Sequence, residues 1–168
     1  EISSLATYVL IAMGRDRRAL LASYQYLVLG TIGATFYVIG IGLLYLVTGS
    51  LNFADIAERL ATANDAFPRP VMAALAFLIV GISLKLALFP LHVWLPNAYA
   101  YAPSFATAFL AATATKVAVY LFIRIVFSVF GVAIVADDLS IAEVLYPLSI
   151  AAMFIASAIA IFQDDIKR

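Results

Sequence analysis

The chain has 168 residues, 65% hydrophobic and only 12% charged, with a formal net charge of zero. That balance excludes a disordered chain and argues against a soluble domain. Zero net charge leaves no case for nucleic-acid binding, and the absence of cysteine rules out disulfides and thiolate metal sites.

The first run is EISSLATYVLIAMG, residues 1–14. It is apolar after Glu1 but shorter than the roughly 20 residues that cross a bilayer, so it reads as a helix cut at its start. The chain opens without Met, basic region or cleavage site and closes on DDIKR, which predicts an internal piece of a longer membrane protein. Two readings of Glu1 stand here: a carboxylate within the membrane, or a solvated terminal glutamate. The loop RDRR, residues 15–18, is compact and basic. Excess Lys and Arg in a short loop marks the cytoplasmic side.

Residues 20–47 form the first complete predicted span. Gly30, Gly33, Gly40 and Gly42 lie in it, and small residues let membrane helices approach closely. The GIG at 40–42 is no nucleotide fingerprint, because no strand–helix context surrounds it. Tyr24, Gln25 and Tyr26 suit an interfacial belt. Residues 48–70 are the longest polar connection. Asn52 and Asp55 resemble a capping pair, and Phe53, Ile56 and Leu60 recur at helical spacing. Together they predict a short amphipathic helix on the outer surface. The segment FPRP, 67–70, then stops that helix and launches the next.

Residues 70–102 carry the densest chemistry. Lys85 lies inside an otherwise uncharged run, followed by Pro90, the single histidine His92, and Pro96. A lysine at mid-membrane costs roughly 2.5–3.5 kcal/mol on insertion scales, so it is rarely incidental. Pro90 removes the N–H that Leu86 would receive, and Pro96 does the same to His92. The expectation is a broken span: a first half over 71–88, a break near 89–91, and a second half to 102. A broken helix beside a buried cation recurs in transporters, where freed backbone groups face a wet cavity. Trp94 falls beside the break, where an indole fills space and still donates its N–H. His92 titrates in a useful range but equally suits a structural part in holding the break.

Residues 104–130 form the next predicted span, with Lys116 near its middle and Tyr120 and Arg124 on the same face. Lys116 is too deep to snorkel, whereas Arg124 suits an interfacial anchor. The loop 131–140 holds Asp137 and Asp138 and falls on the outer side. Residues 141–162 form the last span, with Pro147 expected in its first turns, and QDDIKR returns to the cytoplasmic side. The whole reads as an all-α membrane protein with one truncated and four complete helices, at about 1–14, 20–47, 70–102, 104–130 and 141–162, one of them broken at Pro90. Strands are unlike these long apolar runs, which lack period-2 alternation.

Avoiding lipid requires Lys85 and Lys116 to face the protein interior. Burial lowers a lysine pKa from about 10.4 and a nearby carboxylate raises it again, so movement of that carboxylate drives proton uptake and release. The alternative is structural, each lysine capping carbonyls or pairing with an acid without moving charge. No nucleophile, oxyanion-hole or phosphate-loop motif stands out; Ser3 and Ser4 lack a base partner at recognisable spacing. No cofactor-binding motif is visible, and His92 has no carboxylate near it in sequence to support a metal.

The run LKLALFPLHVWLPNAYAYAPS, followed by LAATATKVAVYLFIR and FQDDIKR, resembles the proton-conducting antiporter-like membrane subunits. That family is shared by respiratory complex I, membrane-bound hydrogenases and multisubunit Mrp-type cation/proton antiporters. The stretch LGTIGATFYVIGIGLLYLVTGSLNFADIAERL looks most like the D subunit of the Mrp-type antiporters. The resemblance implies a larger protein of about fourteen helices with two inverted five-helix repeats, of which residues 1–168 hold most of the first. It implies that Glu1 is the family's embedded glutamate, Lys85 its paired lysine on the broken helix, Lys116 its connecting lysine, and His92 the motif histidine. Asn97 departs from the pattern, since many members carry aspartate there. The implied function is proton translocation within a Na⁺ or K⁺/H⁺ antiporter in a bacterial inner membrane. Its partners would be other membrane subunits, H⁺ and lipid, with no redox chemistry or cofactor of its own. The alternatives are a proton-pumping subunit of a complex I-like NADH:quinone oxidoreductase or membrane-bound hydrogenase, and a non-transporting scaffold.

Overall fold

The computed structural model describes residues 2–135 and 141–163. Expectations for Glu1, Asp137, Asp138 and the DDIKR tail lie outside those residues. Every regular element described is helical: α1 (Ile2–Ala12), α2 (Arg17–Thr48), α3 (Phe53–Ala66), α4 (Pro68–Leu86), α5 (Trp94–Tyr101), α6 (Ser104–Ile123), a π-wound continuation Arg124–Phe130, a single turn α7 (Gly131–Ala133), and α8 (Ile141–Ile161). Four of these stretches are long and apolar enough to cross a membrane, namely 17–48, 68–86, 104–130 and 143–161.

The helices begin and end where backbone chemistry directs. Gly49 ends α2 in the left-handed conformation at φ 70°, its N–H returning to the Tyr45 carbonyl. Asn52 opens α3 by accepting the Ala54 N–H at 3.1 Å. Asp55, expected to share that cap, instead takes the Arg59 Nε–H at 2.7 Å one turn on. Pro68 occupies the first position of α4, where its missing N–H is needed by nothing. The predicted amphipathic helix is thus present, with Ile56, Leu60 and Ala63 turned inward.

Two apolar clusters fix how the helices run. One gathers Leu44, Leu60, Leu75, Leu78 and Phe130 from α2, α3, α4 and the π segment. The other gathers Ile11, Ala22, Trp94, Ala98, Ala106 and Leu110 from α1, α2, α5 and α6. Early α2 and early α6 lie in the second cluster, while early α4 lies in the first. Helix α4 therefore runs antiparallel to α2 and α6. A Cβ on Gly81 would stand 2.7 Å from the Gly33 carbonyl, and one on Gly40 would stand 2.6 Å from Leu78 Cγ. Small residues at 33, 40 and 81 thus let α2 and α4 touch backbone to backbone. Gly30 and Gly42, expected to serve likewise, have nothing within 4 Å.

Two expectations are revised and a third is narrowed. The break is wider than 89–91: α4 stops at Leu86 and α5 starts at Trp94. Pro96 breaks nothing, because it falls in the first turn of α5, where N–H groups have no intrahelical acceptor. Pro147 does fall in the first turns of α8, but seven residues in, past the opening turn whose N–H groups have no intrahelical acceptor.

Candidate functional site

The break in α4 is built from its carbonyls outward. Ala87 caps α4 in the left-handed conformation, φ 58°. Its N–H returns to the Ser83 carbonyl, which also accepts the Leu88 N–H at 2.9 Å. The Leu84 carbonyl receives the Trp94 indole N–H at 2.9 Å, a buried bond that ties the start of α5 to the end of α4. Trp94 is held in turn by the edge of Tyr26, centroid to centroid 5.1 Å. The indole thus donates beside the break, as its position predicts, and its acceptor is the carbonyl next to Lys85. The Phe89–Pro90 peptide within the break is cis.

Lys85 occupies the last turn of α4, partly buried. Its Nζ donates to Ser4 Oγ of α1 at 3.2 Å. The depth follows from packing. Gly33, the position on α2 that meets Leu84, lies 16 residues after Arg17 and 15 before Thr48, the two ends of α2. At 1.5 Å per residue that is about 24 Å from one end and about 22 Å from the other, so Lys85 sits near the midpoint of the longest span. A cation at a helix C-terminus also faces the negative end of the helix dipole.

His92 lies within the break, its ring 5.4 Å from that of Phe89. Its Nδ1 is buried with no hydrogen-bond partner among the described residues, and the same holds for Ser83 Oγ. Buried polar atoms are nearly always satisfied, so two orphans at one helix break mark polar space.

Lys116 does not join this group. It lies near the middle of the 104–130 span, as expected, but it is exposed, and its Nζ donates to the Ala111 carbonyl of its own helix at 2.8 Å. Tyr120 and Arg124 share its face and hydrogen-bond each other at 3.2 Å, both exposed. The face α6 buries is the one against α4 and the second cluster, which leaves this polar face uncovered by any described residue. Among the described residues, then, Lys85 is partly buried and Lys116 is exposed.

Another polar contact escapes the sequence. Asn97 donates to Gln25 Oε1 at 3.1 Å, joining α5 to α2. Gln25 reads as an interfacial residue from sequence, and only the fold shows its amide turned to a partner. Among the described residues no group of three or more His, Asp or Glu is placed to hold a metal.

Comparison with known proteins bears on this geometry. The family model described as "NADH:quinone oxidoreductase/Mrp antiporter, TM" matches residues 1–168. NADH-quinone oxidoreductase subunit N of Desulforudis audaxviator is 46% identical, covering 100% of this chain and 32% of its own length. The subunit N of Gluconacetobacter diazotrophicus is 34% identical, over 100% of this chain and 35% of its own. Among solved structures, a chain of the membrane-bound sulfane sulfur reductase, an archaeal respiratory membrane complex, aligns with a TM-score of 0.67 and 38% identity. That alignment covers 74% of this chain and 25% of the other. The chain thus spans about a third of the length of the curated relatives it matches. These relatives are named as oxidoreductase subunits or complexes, which favours the complex I-like alternative over the Mrp-type expectation for residues 29–60. The relatives and the four apolar spans make this a multi-pass protein of the bacterial inner membrane. On a match over every residue, the chain belongs to the membrane-domain family shared by NADH:quinone oxidoreductases and Mrp antiporters.

Proposed function

We propose that residues 1–168 form one section of a proton-translocating, antiporter-like membrane subunit of a complex I-like respiratory complex. Lys85 is the residue that holds and releases the proton. The observation that carries this is its placement: an amine at mid-depth, at the end of a broken helix, with a hydroxyl as its partner. Glu1 serves as the carboxylate that raises its proton affinity, and Lys116 as the next acceptor along the membrane. His92, whose Nδ1 is buried without a partner among the described residues, lies on the same path within the break. Electron transfer belongs to other subunits, and this section moves protons only. A non-transporting scaffold has no use for two lysines at mid-span.

The test replaces Lys85 with alanine in the intact assembly, reconstituted in vesicles, and records pH-gradient formation on addition of electron donor. Loss of the gradient with electron transfer to an artificial acceptor retained supports the reading, and a wild-type gradient refutes it. A second reading, exchange of Na⁺ or K⁺ for H⁺, is favoured by the family model's inclusion of Mrp antiporters. Neighbouring genes discriminate: small antiporter subunits favour exchange, and subunits with Fe–S motifs favour the redox-driven pump.

A further inference from the structure

We infer that Ser4 is the positioning residue for Lys85, an inference that rests on the proton-carrying reading above. The lysine side chain is a flexible four-carbon stem that reaches toward water wherever it can. Something must hold its amine at mid-depth. Among the described residues the group bonded to it is Ser4 Oγ, 3.2 Å away on α1, and the two residues are 81 apart in sequence. Several other hydroxyls of α1 and α2 are otherwise engaged, while Ser83 Oγ, on α4 itself, is buried with no partner among the described residues. Thr7 donates to the Ser3 carbonyl, Ser23 to the Tyr8 carbonyl, and Thr31 and Thr35 to carbonyls of their own helix.

A hydroxyl suits a proton carrier for a specific chemical reason. It has one O–H and two lone pairs. Toward –NH3⁺ it accepts, as drawn here; toward –NH2 it turns its own hydrogen to the amine lone pair. It therefore keeps hold of Lys85 in both protonation states. A carboxylate holds only the charged state, and an alkyl group holds neither. Ser4 then sets where the amine stays when the proton leaves.

The test uses Ser4→Ala, Ser4→Thr and Lys85→Ala in the intact assembly, with the amount of assembled protein matched before vesicles are made. Loss of a hydrogen bond to a charged group corresponds to roughly tenfold. The expected result is gradient formation slowed about tenfold by Ser4→Ala and restored to within about twofold by Ser4→Thr, which keeps the hydroxyl. If Ser4→Ala lowers the assembled amount, Ser4→Cys replaces it, keeping the volume with a much weaker hydrogen-bonding group. A wild-type rate in the variant lacking the hydroxyl, with Lys85→Ala inactive, overturns the role of Ser4 and leaves the lysine reading standing. Equal slowing by the alanine and threonine variants also overturns it, because the hydroxyl is then irrelevant. A wild-type rate in Lys85→Ala overturns the reading on which the inference rests.

Discussion

Gly81→Ala is the most direct perturbation of the scaffold that sets Lys85 in place. A Cβ there would lie 2.7 Å from the Gly33 carbonyl oxygen and 2.8 Å from the Tyr37 nitrogen. Ordinary C···O contact is about 3.3 Å or more, so the shortfall is roughly 0.6 Å. Both obstructing atoms are backbone, and no side chain can swing aside. Helices α2 and α4 must part, or α4 must rotate. Overpacking of this kind costs about 1–3 kcal/mol. At about 2–4 °C per kcal/mol for a chain of this size, the thermal midpoint should fall several degrees. Gly81 precedes Lys85 by one helical turn, so the same shift carries the amine away from Ser4 and slows proton transport. The assay is a thermal ramp in detergent read by size exclusion, paired with gradient formation in vesicles. Gly30→Ala supplies the contrast, since nothing lies within 4 Å of its Cβ. A Gly81→Ala protein as stable and as active as the parent would refute the close approach of α2 and α4.

Other perturbations follow from single contacts. Trp94→Phe keeps an aromatic ring but strips the N–H from the buried Leu84 carbonyl, and should cost about 1–3 kcal/mol in the same thermal ramp. Ala87→Gly removes a Cβ from a left-handed position and should stabilise by about 1 kcal/mol, unless the substitution also loosens the loop, which a lower midpoint would reveal. The Ser50 hydroxyl first, and Arg59 beside it, hold the Asp55 carboxyl below its ordinary range. A carboxyl lowered on folding contributes above its unfolded value of about 3.9, and that contribution fades as pH falls through the lower folded value. Asp55→Asn should therefore remove acid sensitivity local to α3 without changing the midpoint at pH 7 by much, checked by melts at pH 3 and pH 7.

Much of the scaffold is legible in the sequence because its signals are local. Apolar runs place the spans, Asn52 and the FPRP segment bound α3, and Lys85 with Pro90 marks the break. What escapes is pairing across helices. Ser4 with Lys85, and Gln25 with Asn97, are 81 and 72 residues apart, and no local pattern singles out Ser4 or Gln25 as a partner. In a soluble helix, the polar face tells which side turns inward. In a membrane helix lipid-facing and protein-facing sides are equally apolar, so that cue vanishes. Lys116 shows the consequence: its depth is readable from its place in the run, but not which neighbours its face meets. The π winding of 124–130 leaves no mark either, since its residues are ordinary helix formers and branched apolar side chains.

The break explains why a lysine can serve here at all. An uninterrupted helix commits every mid-span carbonyl to its own ladder and presents an ammonium only to lipid or to side chains. Ending α4 at Leu86 turns mid-membrane into a helix C-terminus, where carbonyl dipoles converge and a cation is favoured. Two of those carbonyls are claimed, Ser83 by the Ala87 and Leu88 N–H groups and Leu84 by Trp94, so the end is held rigidly while it stays polar. Pro90 has no N–H to offer Leu86, which keeps the helix from closing over the gap. The dipole favours a cation at this end, and the end itself gives the amine a polar neighbour other than lipid. A hydroxyl that bonds the amine with or without its proton then fixes position independently of charge, and that separation is what a site needs in order to load and unload the same proton repeatedly.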